Sequence, residues 1–198
     1  GPVEKLNFEE VTYWEELQEI FSWTRTHVMS TFYICWAAQA GLYHHYGIPK
    51  HPLEKKISGV YKHRPLDPLH PIFRGFDDCF YAPHSRYTET RREDVMKSSE
   101  VTILSESQEA GVYLMSARNG REFYVTGHSE YSPNTLDTEY KRDIAKGLSV
   151  EVPENYYQDD NPANPPIVRW RSHGNLLFTN WLNYFVYQET PYNIDDIS

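Results

Sequence analysis

The sequence predicts an α/β domain with a parallel sheet, and three observations carry that prediction. A short β-branched and aromatic run, Thr31-Phe32-Tyr33-Ile34, passes at once into a small, alanine-rich helical pattern, Trp36-Ala37-Ala38-Gln39-Ala40. Helical and strand patterns alternate along the chain, with no internal repeat, low-complexity segment or composition break, so 1–198 reads as one domain. At 198 residues, with 39% hydrophobic and 15% aromatic content, the chain can bury a core without disulfide staples.

Each element has its own signal. Val11 to His27 reads as a helix: Trp14, Leu17 and Phe21 recur on one face, while Glu15, Glu16 and Glu19 mark the wetter one. Thr31 to Ile34 has the length and β-branched character of a buried strand. The helix from Trp36 runs to Tyr46 and stops at Gly47, with Pro49 just beyond. Ile57 to Tyr61 is a further short strand, and the Pro-, Asp- and His-rich stretch from Arg64 to Pro83 reads as loop. Val101–Leu104 and Gly111–Ala117 read as strands. Asn119-Gly120 is a two-residue hairpin turn leading into Glu122-Phe123-Tyr124-Val125. A helix over Asn134 to Lys146 ends at Gly147, and residues 151–167, with four prolines, form a long connection. Ser172 is placed to cap a last helix carrying Leu176, Leu177, Trp181, Leu182 and Phe185.

Charge and cysteine content exclude several function classes. Nineteen Lys and Arg against 28 Asp and Glu leave a net charge of −9, which disfavours non-specific nucleic-acid binding. Cys35 and Cys79 are too few for a disulfide scaffold. No apolar run has the length of a membrane span and no secretory signal pattern opens the chain, which points to the cytoplasm. The opening Gly1-Pro2-Val3-Glu4 lacks an initiator methionine and reads as the interior of a longer protein or the scar of a cleaved tag.

Cys35 is the most informative residue. At a strand-to-helix junction the chain turns sharply, lifts the side chain above the sheet edge and places it at a helix N-terminus. The helix dipole there favours the thiolate, the nucleophilic form, and the Trp36 backbone N–H is placed to hold an oxyanion. The alternative is a buried core thiol, since no glycines flank this cysteine. Val125-Thr126-Gly127-His128-Ser129-Glu130 is the second feature: a strand ends and His-x-Glu follows. His128 supplies a base and Glu130 the carboxylate that fixes its tautomer. His44, His45, His63 and His70 carry no comparable pattern, and Cys79 reads as structural. There is no H-E-x-x-H or C-x-x-C, so no metal site is expected, and neither nucleotide-binding glycine motif occurs.

Several longer stretches are similar to the homoserine O-acyltransferases of methionine biosynthesis. They are Thr31 to Ala40, Tyr46-Gly47-Ile48-Pro49-Lys50, Arg74-Gly75-Phe76-Asp77-Asp78, Ala82-Pro83-His84-Ser85-Arg86, Val125-Thr126-Gly127-His128 and Trp170 to Leu177, with Asn180 to Tyr184 and Tyr187 to Tyr192. The resemblance covers nearly the whole chain in order. It implies a three-layer, class I glutamine-amidotransferase-like (flavodoxin-like) fold with a mostly parallel sheet. It also implies acetyl transfer from acetyl-CoA, as donor substrate rather than resident cofactor, to the homoserine hydroxyl.

By position, Cys35 matches the acyl-thioester nucleophile, His128 the general base and Glu130 its partner. Lys56, Ser85 and Arg142 match substrate-binding residues, Arg142 because a guanidinium grips an α-carboxylate. Without the resemblance, Lys56 reads as a solvated charge, Ser85 as a loop cap, and Arg142 as an i,i+3 partner of Glu139. Glu4 matches the acyl-CoA specificity position, where glutamate is similar to acetyl-using members and glycine to succinyl-using ones. The chain departs from the family by carrying Ser129 where a proline is usual. The family also has a substantial segment before the point matching Gly1, so the resemblance implies the C-terminal portion of a longer protein, lacking its N-terminal strands. Serine O-acetyl transfer, homoserine O-succinyl transfer and a glutamine amidohydrolase remain alternatives, and a homodimer is left open. The expected partners are small molecules, not nucleic acid or membrane.

Overall fold

The structure, a computed structural model, describes residues 2–192; Gly1 and residues 193–198 lie outside them. A single-turn 3₁₀ helix at Phe8–Glu10 precedes helix α1 (Trp14–His27). The helix starts three residues later than the periodicity suggests, because Val11 is extended and closes the 3₁₀ turn onto Phe8. Trp14 and Phe21 are buried and Leu17 packs beside them, as the apolar stripe requires.

Strand β1 (Thr31–Ile34) and helix α2 (Trp36–Tyr46) fall where the sequence places them, and α2 stops at Gly47 with φ +65°. The small side chains of α2 have a tertiary purpose: Ala38, Ala40 and Leu42 are fully buried, which lets the helix lie close on the sheet. Strand β2 is longer than expected, running over His51–Pro65, and β3 covers Phe80–Glu89. The stretch read as loop between Arg64 and Pro83 therefore begins and ends in strand. Pro83 is tolerated because β3 is an edge strand, where one row of donors is not needed.

A short helix α3 (Arg92–Val95) leads to β4 (Val101–Ser107), β5 (Gly111–Ala117) and β6 (Glu122–Val125). The β5–β6 turn is not the two-residue type. Ala117 pairs with Glu122, so residues 118–121 form the loop, with positive φ at Arg118, Asn119 and Gly120. Helix α4 (Thr135–Ala145) follows, then an irregular strap whose Glu154 is hydrogen-bonded across β2 to Ser58 and Val60. Helix α5 (Arg171–Trp181) continues as a π-helical turn over Leu182–Tyr187. Ser172 lies inside the first turn of α5 rather than capping it. The buried Trp170 occupies the N-cap position, and its indole N–H, bonded to Tyr131 O at 3.0 Å, sets where the helix begins.

Among the described residues, six strands run in the order β1-β6-β5-β4-β2-β3. The α/β class holds, but the described part of the sheet is mixed rather than mostly parallel: only β1 and β6 are parallel. Short links force antiparallel pairing in β4–β5–β6, whereas a parallel pair needs a crossover of the kind that separates β1 from β6. Alternation along the strands splits the core into two faces. Tyr33 and Tyr124 stack at 4.8 Å in the cluster that packs on α1 and α2. Phe32 and Phe123 join the cluster that packs on α5. A third, smaller cluster of Val60, Leu136, Tyr156, Tyr157 and Trp170 seats α4 and the strap. No helix among the described residues is long and apolar enough to cross a membrane.

Candidate active site

The sheet curls until β3 reaches the carboxyl end of β6, and the candidate residues gather at that junction. Cys35 links β1 to α2 with φ +53° and ψ −116°, a conformation that a non-glycine residue adopts at a cost of roughly 1–3 kcal/mol. Two hydrogen bonds hold it there: its N–H donates to Val125 O at 2.6 Å, and its carbonyl accepts from Gln39 N. The strain turns the half-buried thiol away from the core and toward a cavity of about 560 Å³. Trp36, the next residue, contributes one of the first-turn amides of α2, which have no intrahelical acceptor.

His128 follows β6 and lines the same cavity. Its backbone N–H donates to Pro83 O at 2.8 Å, so the edge strand holds the loop. Gly127 is required at this crossing. An added Cβ would lie 2.8 Å from the Tyr113 ring and 2.9 Å from both His84 Nε2 and Pro83 O. The His128 Nδ1 is 2.6 Å from Glu130 Oε1, and the ring stacks on Tyr131 at 4.1 Å. Burial opposes a charge on this imidazole, but the Cys35 sulfur and Glu130 outweigh it and push the ring up to about 9. The sulfur and the Glu130 carboxylate thus both favour a proton on His128.

The substrate-binding candidates occupy the opposite wall. Lys56 on β2 is only 13% exposed, not the solvated charge that its sequence suggests, and donates to Asp143 Oδ2 at 3.3 Å. Ser85 lies in β3, not in a loop, and donates to Glu139 Oε2 at 2.5 Å. Arg142 is half exposed and its Nε donates to Asp143 Oδ1 at 2.8 Å; its partner is Asp143, not the Glu139 of the helical spacing. Glu4 is buried, and its Oε1 accepts from the backbone N–H groups of Tyr87 and Thr88. Cys35, Trp36, His128, Lys56, Ser85, Arg142 and Glu4 thus line one cavity, with Glu130 behind His128.

Glu139, Asp143 and Tyr131 were not singled out from the sequence. Glu139 accepts from both Ser85 and Tyr131 and lies 3.8 Å from Lys56, so it is the node of that wall. Its signal was a charged stripe on one face of α4, which reads equally as a solvated helix side. His63, which has no distinguishing pattern in the sequence, is buried in β2, its Nε2 3.0 Å from that of His84; burial lowers the His63 ring to about 3 and keeps it neutral. Cys79 lies apart from the cavity lining.

The chain is similar to known proteins over nearly its whole length. The family model described as homoserine O-succinyltransferase (HTS) matches residues 1–192. A homoserine O-acetyltransferase of Bacteroides thetaiotaomicron is 71% identical over 197 residues, covering 100% of this chain and 65% of its own length. One of Bacteroides fragilis is 70% identical with the same coverage. This chain thus spans about 65% of the length of the curated relatives it matches. Among solved structures, a glutamine amido transferase from Methylobacillus flagellatus aligns over 93% of this chain and 74% of its own. The TM-score is 0.63 at 9% identity, a likeness of fold.

Proposed function

Because this chain belongs to the homoserine O-succinyltransferase family, we propose that it moves an acetyl group from acetyl-CoA, through a thioester on Cys35, to the hydroxyl of homoserine. The observation that carries this reading is Cys35 on its strained elbow, with protonated His128 and Glu130 aligned behind it. The names of the relatives support acetyl as the group transferred and homoserine as its acceptor.

The chemistry follows from the protonation state. Cys35 sulfur attacks the thioester carbonyl carbon while the Trp36 N–H donates to the developing oxyanion. The carbon–sulfur bond to CoA then breaks, and His128 gives its proton to the departing thiolate. Neutral His128 next takes the proton of the acceptor hydroxyl as that oxygen attacks the Cys35 thioester. The ester leaves, and the resting pair of sulfur and imidazolium is restored. Arg142 suits the α-carboxylate of an amino acid, and Glu139, flanked by Ser85 and Tyr131, suits its ammonium group. A second depression shares Lys56, Tyr87 and Asp143 with the first, and Lys5, Lys50 and Lys55 border it, giving the long donor somewhere to lie. A CoA-dependent reaction of this kind belongs in the cytoplasm.

Thiol release from acetyl-CoA and succinyl-CoA, each with homoserine or serine, tests the reading. Acetyl-CoA with homoserine is expected to be fastest, whereas serine preference, succinyl preference or ammonia release from glutamine would replace it. The buried Glu4 lines the cavity, and a carboxylate there would repel the second carboxylate of a succinyl group. Glu4→Gly is expected to raise succinyl-CoA use relative to acetyl-CoA; an unchanged ratio would remove Glu4 from this role.

The switch of His128 from acid to base makes a further expected result. Alkylating Cys35 with iodoacetamide leaves a neutral thioether and deletes the sulfur's share in holding the proton, while burial still opposes it. The His128 titration, followed by histidine NMR, is expected at about 9 in the free protein and well below that after alkylation. An unmoved midpoint would mean that the sulfur does not govern this proton.

A further inference from the structure

Ser129 lies between His128 and Glu130, in the turn that follows β6. Tyr131 N donates to His128 O at 3.2 Å, so His128 to Tyr131 form a β-turn with Ser129 at its second position. Proline suits that position because its ring presets φ. Here the chain has an ordinary backbone at 129, yet the turn must still deliver a half-exposed Glu130 to the imidazole.

We propose that the hydrogen bond between Ser129 Oγ and Tyr113 OH is a positioning clamp that holds the His128–Glu130 turn in its reactive geometry, in place of the restriction a proline would supply. The two hydroxyls are 2.5 Å apart. Tyr113 is fully buried in β5, with its ring against Gly127, so its hydroxyl is a fixed point. Burial raises the phenol above its ordinary value, so it stays a neutral hydroxyl. The clamp is anchored at its base as well: Thr126 N donates to Tyr113 O at 2.9 Å and Thr126 Oγ1 to Val112 O at 2.7 Å. On the far side, the Ser129 carbonyl lies 2.7 Å from where a Cβ on Gly174 of α5 would stand. The turn is thereby gripped from the sheet and from α5, while its His128 side chain faces the cavity with Glu130 behind it. A serine side chain has one rotatable bond before its oxygen, so a single hydrogen bond removes most of the freedom of the turn.

The clamp concerns the Cys35–His128–Glu130 constellation and rests on the reading of those residues as the reacting set. Its test does not require acyl transfer, so failure of one can be told from failure of the other. The groups that face His128 are Cys35, Glu130, Tyr131 and His84; the titration of His128 reports their placement. In Ser129→Ala and Tyr113→Phe, the His128 midpoint is expected to fall toward the ordinary histidine value. Alkylation of Cys35 by iodoacetamide at neutral pH, read by peptide mass, is expected to slow about tenfold or more. The double variant is expected to be no worse than either single one, because both remove the same bond. Ser129→Pro is expected to restore both readouts and to make Tyr113→Phe silent. An unmoved midpoint and rate in Ser129→Ala, additive losses in the double variant, or no recovery with proline would each overturn the proposal. Should Tyr113→Phe lower stability, the Ser129→Ala and Ser129→Pro pair decides the matter alone.

Discussion

Cys35→Ala is expected to abolish acyl labelling and to lower acetyl transfer by roughly 10⁴-fold or more, the scale seen when a covalent nucleophile is removed. Labelled acetyl-CoA without acceptor should mark Cys35 and leave Cys79 unmarked. An active protein that carries no label would refute the covalent route. The same position separates function from stability. Its φ of +53° strains any side chain that carries a Cβ, so alanine keeps the strain and glycine releases it. Cys35→Gly is therefore expected to be inactive yet at least as stable as the parent, against the usual direction of a glycine substitution. A clear drop in its unfolding midpoint would show that the elbow is held by something other than strain.

The largest stability effect is expected at Glu122. This carboxylate is 2% exposed and accepts from Arg25 Nε at 2.8 Å, Tyr46 OH at 2.5 Å and Tyr124 OH at 2.9 Å. It ties α1 and α2 to the first residue of β6, beside the parallel β1–β6 pair. Glu122→Ala leaves the guanidinium groups of Arg25 and Arg118 and two phenols without this acceptor, at a cost of about 3–5 kcal/mol. Denaturant unfolding measures it, and a loss under about 1 kcal/mol would mean that water takes over the role. Burial alone would raise this carboxyl, but the Arg25, Tyr46 and Tyr124 hydrogen bonds outweigh it and hold it below its ordinary value of 4.5. A depressed folded value means stability that is present above 4.5 and is lost as the pH falls through the lower folded value. The advantage of the parent over Glu122→Gln is accordingly expected to shrink with acidification below 4.5 and to be constant above it.

Much of this was legible in the residues. The passage from Thr31–Ile34 into an alanine-rich helix located the elbow, because hydrophobic period and turn chemistry are local properties. His128 and Glu130 were legible for the same reason: two residues apart at a strand end, they are partners before the fold is known. Glu139 and Asp143 were not, since their partners come from β2, β3 and the segment after β6, and a carboxylate on a helix looks the same whether it meets water or a buried lysine. His63 and the full length of β2 were obscured likewise, because proline- and histidine-rich sequence resembles loop until an edge strand pairs with it. The parallel sheet was an extrapolation from one strand–helix unit, and antiparallel links between β4, β5 and β6 overrode it.

The sequence by itself determined the α/β class, the elbow cysteine, the His-x-Glu pair and the family. Each of these is written in neighbouring residues or in a motif string. Only the tertiary structure decided that Cys35 and His128 meet, that Lys56 and Ser85 face the carboxylates of α4, and that Ser129 reaches Tyr113. Those contacts join residues from 16 to 93 positions apart, and the longest of them depend on how far the sheet curls. Curl is a property of the whole set of strand pairings, which no local stretch of the chain contains.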